Sequence, residues 1–354
     1  MKYVRKEIQE LKEYKVPQEK YEVKLNQNES PYDVPLNLKK EILKRMLKIN
    51  WNRYPPRTAN PLVEAIAKYN NFPKNGIVAG NASNEIIQAV FQTFCEKKDK
   101  VTFVSPSFPI YTYLAKIMNL TIIEVPLLED FSFDIRSIIK KGKNSKMVVL
   151  AVPNNPTGTT IFLPEIEEIA KNINGVLVLD EAYFEFSKET AVPLLNKYEN
   201  LVIIRTLSKA FGLAGLRIGY LLSNETLASQ IQKAKLPFSL GIFSQVAGEV
   251  LLKNKEYKEE VVKKIIKERE NIFSKLQDLP GIEPIPSYTN FILFKTKFLS
   301  GKELFEELYK KGVLLRYFDN PRLKNTLRVT IGKTKENKIF IERLREVINE
   351  KNIC

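Results

Sequence analysis

Lys209 lies in RTLSKAFGLAGLRIGY, residues 205 to 220, just after the hydroxyls of Thr206 and Ser208 and eight positions before Arg217. A lysine amine becomes a nucleophile when its pKa is lowered, and an always-charged guanidinium beside two hydroxyls suits a phosphate group. A second stretch, LDEAYFEF at Leu179 to Phe186, closes an apolar run on Asp180 and places Tyr183 three residues on. Desolvation neutralises a carboxylate at a buried strand end unless a cation or donor sits opposite, so Asp180 is expected to have a partner. Taken alone it reads slightly better as a cap for the following turn than as a catalytic group. In AVPNNPTGT, Ala151 to Thr159, a rigid turn would present one amide, Asn154 or Asn155, to a cleft, although Asn-Pro is also common loop punctuation. In GNASNEIIQAV, Gly80 to Val90, Ser83 is expected to cap a helix whose free N–H groups around Ala82 to Asn84 form an anion site. An ordinary N-cap has the same form.

Something must hold these stretches in one place. The runs KVTFVSP, LTIIEVP, KMVVLAVP, GVLVLDEAY, NLVIIRTLS and RIGYLL read as strands, and segments such as Leu163 to Ile173 between them have helical spacing. The alternation predicts an α/β fold with a mostly parallel, helix-covered sheet, whose ligands sit beyond the carboxyl ends of the strands. Beyond residue 255 the pattern changes to a charged helix through Leu276, short strands at Asn290 to Lys295, Gly312 to Tyr317 and Thr326 to Ile331, and a closing helix from Lys335. This reads as a smaller α+β domain. The expected division is an arm over 1–45 serving the small domain and dimer contacts, a large domain over 46–255 and a small domain over 256–354.

Composition removes several functions. With 56 Lys+Arg against 41 Asp+Glu the formal charge is +15, but the basic residues are interspersed with glutamates as on solvated helix faces. No nucleic-acid or membrane partner is expected, while a basic surface would gather anionic small substrates. Two cysteines, Cys95 and Cys354, suggest neither a disulfide framework nor a metal site. The charged start MKYVRKEIQELKEYK has no apolar core of the secretory kind, so a cytoplasmic protein is expected. The chain contains no histidine, which excludes histidine triads, histidine metal sites and the usual proton shuttle. A lysine, a carboxylate, a tyrosine or a borrowed cofactor must move the protons. An imine-forming lysine, a carboxylate for a ring nitrogen and a phosphate cradle together describe pyridoxal phosphate binding.

The set PNNPTG, DEAY and TLSKAFGLAGLRIG, in that order, resembles the fold type I pyridoxal-phosphate aminotransferases, and within them most closely the histidinol-phosphate branch. The likeness runs from KLNQNESPY at Lys24 through NRYP at Asn52 to LLRYFDNPRLKNTLRVTIG ending at Gly332. It implies that Lys209 forms the imine with pyridoxal 5'-phosphate and moves the substrate proton, that Asp180 keeps the ring nitrogen protonated, and that Tyr183 and Asn155 bond the ring's 3′ oxygen. Phe108, in SPSFPIY, would stack on the ring. Ala82, Ser83, Asn84, Thr206, Ser208 and Arg217 would surround the phosphate, joined by Tyr54 from a neighbouring subunit of a homodimer. Arg316 and Arg328 would grip the substrate phosphate and, in turn, glutamate, with Ser30 and Asn155 also at the substrate. The implied reaction converts L-histidinol phosphate and 2-oxoglutarate to imidazole-acetol phosphate and L-glutamate. Aromatic amino-acid transamination and threonine-phosphate decarboxylation remain alternatives.

The chain departs from the family pattern at Ala82 and Asn84, where glycine and aspartate are usual, and at Ser30, Ser239 and Gly241, where asparagines are common. These changes put a side-chain carboxylate contact at Asn84 in doubt and open a route to altered specificity. A transcription regulator built on the same fold is the reading from another class. Because the first family motif starts at Lys24, no DNA-binding domain is expected before it.

Overall fold

The computed structural model describes residues 3–11 and 21–351. Cys354 lies outside the described residues, and Cys95 is a buried free thiol. Among the described residues the strands are β1 (Val23–Lys24), β2 (Ile77–Asn81), β3 (Lys100–Ser105), β4 (Thr121–Pro126), β5 (Met147–Ala151), β6 (Val176–Asp180), β7 (Leu201–Thr206), β8 (Ile218–Ser223), β9 (Ile282–Pro284), β10 (Phe291–Thr296), β11 (Val313–Leu314) and β12 (Thr326–Thr330).

Seven of them make one sheet in the order β2-β8-β7-β6-β5-β3-β4, in which only β8 runs against its neighbours. β5, β7 and β8 are buried along their whole length, as continuous apolar runs in a sheet covered on both faces should be. Alternation along the strands divides two cores. Leu177, Leu179 and Ile203 face helices 36–46, 60–70, 163–172 and 242–253, while Val178, Val202 and Ile204 face helices 82–94, 110–117 and 225–234. The sheet is therefore α/β and mostly parallel, as the sequence implied. β2 is the strand that the apolar runs did not announce, because Gly80 and Asn81 close it after only three apolar residues.

The second layer is smaller. β12, β10 and β9 form an antiparallel sheet, β1 pairs in parallel with β11, and helices 255–277, 301–310 and 334–350 cover them. In the long helix 255–277, Val261, Ile265, Ile272 and Leu276 recur at helical spacing and point into this core. The strand expected over Gly312 to Tyr317 is shorter: only Val313 and Leu314 pair with β1, and Arg316 makes a single bridge to Arg328. The N-terminal segment serves both layers, with β1 in the small sheet and Leu38, Ile42 and Met46 in the core of the large one. Tyr183, Phe186 and Ala210, which follow the ends of β6 and β7, pack into the small-domain core. That packing brings the small domain over the carboxyl ends of the large sheet. Among the described residues no helix is long and apolar enough to cross a membrane.

Gly219 in β8 shows how closely this end of the sheet is built, since a Cβ there would lie 2.2 Å from the Ser83 nitrogen and 2.3 Å from the Ala82 carbonyl carbon. Both neighbours are backbone, so neither can swing aside. Gly219→Ala should cost about 1–3 kcal/mol in urea unfolding by forced repacking of the 82–84 turn; an unchanged midpoint would mean that the turn gives way freely.

Candidate active site

Strand ends and register assemble the site. β3, β5, β6 and β7 run parallel, and their carboxyl ends deliver Pro106 to Phe108, Asn154 and Asn155, Asp180, and Leu207 to Lys209 to the same edge. Thr206 pairs with Gly219 and Asn81 with Ile218, which sets the turn at Ala82 beside Ser208 and Arg217.

Asp180 is 4% exposed. Its Oδ2 accepts from the Tyr111 hydroxyl at 2.7 Å and its Oδ1 from the Ala182 N–H at 3.1 Å. Desolvation pushes the carboxyl up to about 6, against the pull of those two donors. Tyr111 was not singled out in the sequence, yet it sits one helical turn past Phe108, whose ring meets its own edge-on at 5.7 Å. The partner expected for Asp180 is thus a phenol from a neighbouring helix.

Lys209 keeps some surface, but protein packs closely enough around it for desolvation to dominate. That desolvation, helped by the positive charges of Arg328 and Arg217 and opposed by Glu29 and Asp180, lowers its pKa to about 7. The amine donates to the Gln27 carbonyl at 3.1 Å and lies 5.9 Å from the centre of the Tyr183 ring. A large fraction is therefore neutral near pH 7, as a nucleophile requires.

Tyr183 accepts at its hydroxyl from Asn28 Nδ2 at 2.9 Å and meets Phe291 edge-on. Asn28, with φ of 54°, also ties its backbone N–H to Thr330 Oγ1 at 2.9 Å, so one asparagine links the arm, the large domain and β12. It belongs to the KLNQNESPY stretch, in which the family resemblance points to Ser30 alone. Ser30 lines a cleft with Gln27, Glu29 and Gly212 and uses its hydroxyl locally against Tyr32. The two adjacent amides divide their work. Asn154 is fully buried and braces Ser107, Pro106 and Thr157, whereas Asn155 accepts at Oδ1 from Arg328 Nη1, which turns its Nδ2 donor elsewhere.

The anion cradle needs one correction. Ser83 is not the cap: the helix begins at Ala82, Asn81 stands at the N-cap, and no side chain caps it. Glu85 Oε2 instead reaches back to the Asn81 N–H at 2.6 Å and also accepts from Ser239, one of the departures from the family pattern. The Ala82 N–H is spent on the Arg217 carbonyl at 3.0 Å, which leaves the N–H groups of Ser83 and Asn84 as the donors at the helix start. Thr206 Oγ1 takes the Ser208 N–H at 3.1 Å and stands 2.9 Å from Ser208 Oγ, and Arg217, with φ of 52°, donates to Ala214.

Arg316 and Arg328 exchange backbone hydrogen bonds of 3.1 and 3.0 Å across their bridge, and their guanidinium carbons lie 5.6 and 5.4 Å from the Phe318 ring. Arg328 Nη2 also donates to the Asn26 carbonyl at 2.7 Å. Like charges opposed in a ladder are destabilising, and an anion bound between them relieves the cost. Tyr54 stands apart from this group, 84% exposed, with its ring 5.1 Å from that of Phe238. Beneath the site, Glu181 and Arg205 form a buried ion pair at 2.7 Å that locks the residues next to Asp180 and Thr206.

A buried carboxylate, a depressed amine and a helix start with open N–H donors fit a group that carries a basic ring nitrogen, a carbonyl and a phosphate. In cofactor-free protein, competitive acetylation of Lys209 should titrate near pH 7. Arg328→Met should raise that midpoint, since Arg328 is the strongest charge holding it down. A midpoint close to an ordinary lysine's, about 10.4, would refute the assigned environment.

Residues 20–344 match the model of the family described as aminotransferase class I and II. The chain is 39% identical over 348 residues to a histidinol-phosphate aminotransferase of Thermoanaerobacter pseudethanolicus, covering 98% of each. The crystal structure of the histidinol-phosphate aminotransferase from Clostridium acetobutylicum superposes with a TM-score of 0.86 at 26% identity, covering 93% of this chain and 99% of that one. The enzyme from Sinorhizobium meliloti, solved in complex with pyridoxal 5'-phosphate, shares the fold with a TM-score of 0.89 at 24% identity over 99% and 98% of the two chains.

Proposed function

This chain belongs to the class I and II aminotransferases, and from that membership we propose that it is a pyridoxal-phosphate enzyme exchanging an amino group between L-histidinol phosphate and glutamate, with imidazole-acetol phosphate and 2-oxoglutarate as the keto partners. The observation that carries the reading is the lysine amine of depressed pKa set among Asp180, Tyr183 and two adjacent arginines. The reaction belongs to histidine biosynthesis.

Pyridoxal 5'-phosphate supplies an electron sink for the carbon that bears the nitrogen. Asp180 would face its ring nitrogen, Asn155 Nδ2 and the Tyr183 hydroxyl its ring oxygen, and Phe108 its face. The N–H groups of Ser83 and Asn84, the hydroxyls of Thr206 and Ser208, and Arg217 would hold its phosphate.

The protein's own part is proton handling and anchoring. Lys209 Nζ, neutral near pH 7, is the base that takes the proton from the substrate carbon and returns it. Tyr111 shares its proton with Asp180 and keeps that carboxylate oriented without histidine. Arg316 and Arg328 grip the phosphate of histidinol phosphate and, in the return half, a carboxylate of glutamate; a guanidinium fork suits both anions.

The enzyme acts as a homodimer in the cytoplasm. Leu43, Leu47, Trp51, Tyr54, Leu236 and Phe238 are large exposed apolar side chains, the Tyr54 and Phe238 rings 5.1 Å apart, and a second copy would cover them. Tyr54 would then reach the neighbouring phosphate site.

Single-turnover spectroscopy of the holoenzyme with histidinol phosphate, phenylalanine and threonine phosphate tests the reading. Histidinol phosphate should be consumed with the highest kcat/KM and without release of CO2. A faster reaction with phenylalanine, or CO2 from threonine phosphate, would replace it with one of the alternative activities. Sedimentation should give twice the chain mass, and a monomer at working concentration would refute the shared site.

A further inference from the structure

The activity above leaves one part of the substrate without a partner. Its phosphate goes to the arginines and its amine to the reacting centre, but the imidazole ring, which carries N–H donors and an unperturbed pKa of about 6.5, needs an acceptor. A cleft of about 340 Å³ opens between the N-terminal arm, the 212–214 turn and β12, lined by Lys24, Gln27, Glu29, Ser30, Gly212 and Thr330. It adjoins the reacting centre, because Lys209 Nζ donates to the Gln27 carbonyl in its wall.

Resting on the histidinol-phosphate reading, we infer that Glu29 is the specificity-determining residue that accepts the N–H of the substrate's imidazole. Its carboxylate is held at one oxygen, Oε2, by Lys24, and no donor among the described residues takes the other. That anchor on β1 fixes the side chain at the cleft while one acceptor stays open. Glu29 also pulls on the Lys209 proton more strongly than Asp180 does, which places its charge within range of the amine.

The other carboxylates nearby are turned to other work. Asp180 has both oxygens taken, by the Tyr111 hydroxyl and the Ala182 N–H, and Glu336, also in the lining, reaches back at Oε2 to cap its own helix through the Lys333 N–H at 2.6 Å. The cationic side of the site would repel a protonated imidazole, so the ring turns toward Glu29. The small residues Ser30 and Gly212 give it room.

The test compares holoenzymes carrying Glu29, Glu29→Gln and Glu29→Ala on two amines that share the phosphate: histidinol phosphate, and alaninol phosphate, in which a methyl replaces the imidazolylmethyl group. The ratio of their kcat/KM values should fall roughly 10–100-fold in Glu29→Ala, the range of a hydrogen bond to a charged group, and less in Glu29→Gln, which keeps an acceptor oxygen. The loss should appear in KM for histidinol phosphate. An unchanged ratio, or equal loss on both amines, would overturn the inference while leaving the activity intact. A native enzyme that reacts with glutamate but not with histidinol phosphate would overturn both.

Discussion

Desolvation of one lysine amine is the constraint around which the molecule is arranged. Lys209 follows the end of β7, where the sheet stops and the small domain covers it, and desolvation there lowers the amine's pKa to about 7. Asp180 closes the next strand under the same condition, pushed in the opposite direction by the same burial. No ion pair joins them: the amine turns to Gln27 and the carboxylate to Tyr111. Two groups that would neutralise each other in direct contact are thus each given another partner.

Holding them apart needs rigid support. The Glu181–Arg205 pair lies directly beneath, and Arg205 also donates to Thr190 and Asn70 while its guanidinium lies 3.5 Å from the centre of the Phe184 ring. A buried pair of this kind gives little net stability compared with apolar packing, but breaking it strands a charge, so the geometry it defines is hard to lose. From above, Asn28 binds Tyr183 and Thr330 together, and Arg322 donates to the carbonyls of Ser105, Leu127 and Leu128 at the ends of β3 and β4. Both contacts couple the small domain to the loops that carry the chemistry.

The sheet was readable because its strands are buried on both faces, and continuous β-branched runs such as MVVLA and LVIIRT have no other stable place. Lys209, Asp180, Tyr183 and Asn155 stand where such a sheet gathers side chains, because each ends a strand or follows one closely. The helix start at Ala82 misled because Ser83 has the composition of a cap, whereas β2 leads straight into the helix and Glu85 satisfies the Asn81 N–H from within. Tyr111 was missed since a tyrosine at helical spacing looks like any core aromatic, and its hydroxyl gains meaning only once Asp180 is known to lie opposite. Helical spacing from Phe108 was the one available signal. β11 shrank to two residues because its partner, β1, offers no more.

The central claim is that burial makes residue 209 the reactive amine of this protein. Incubating the cofactor-free chain with pyridoxal 5'-phosphate at pH 7, reducing with borohydride and mapping the digest by mass tests it directly. The account predicts one pyridoxyl group per chain on the peptide containing Lys209, and its disappearance in Lys209→Ala. Label spread over surface lysines, or concentrated on another peptide, would contradict it.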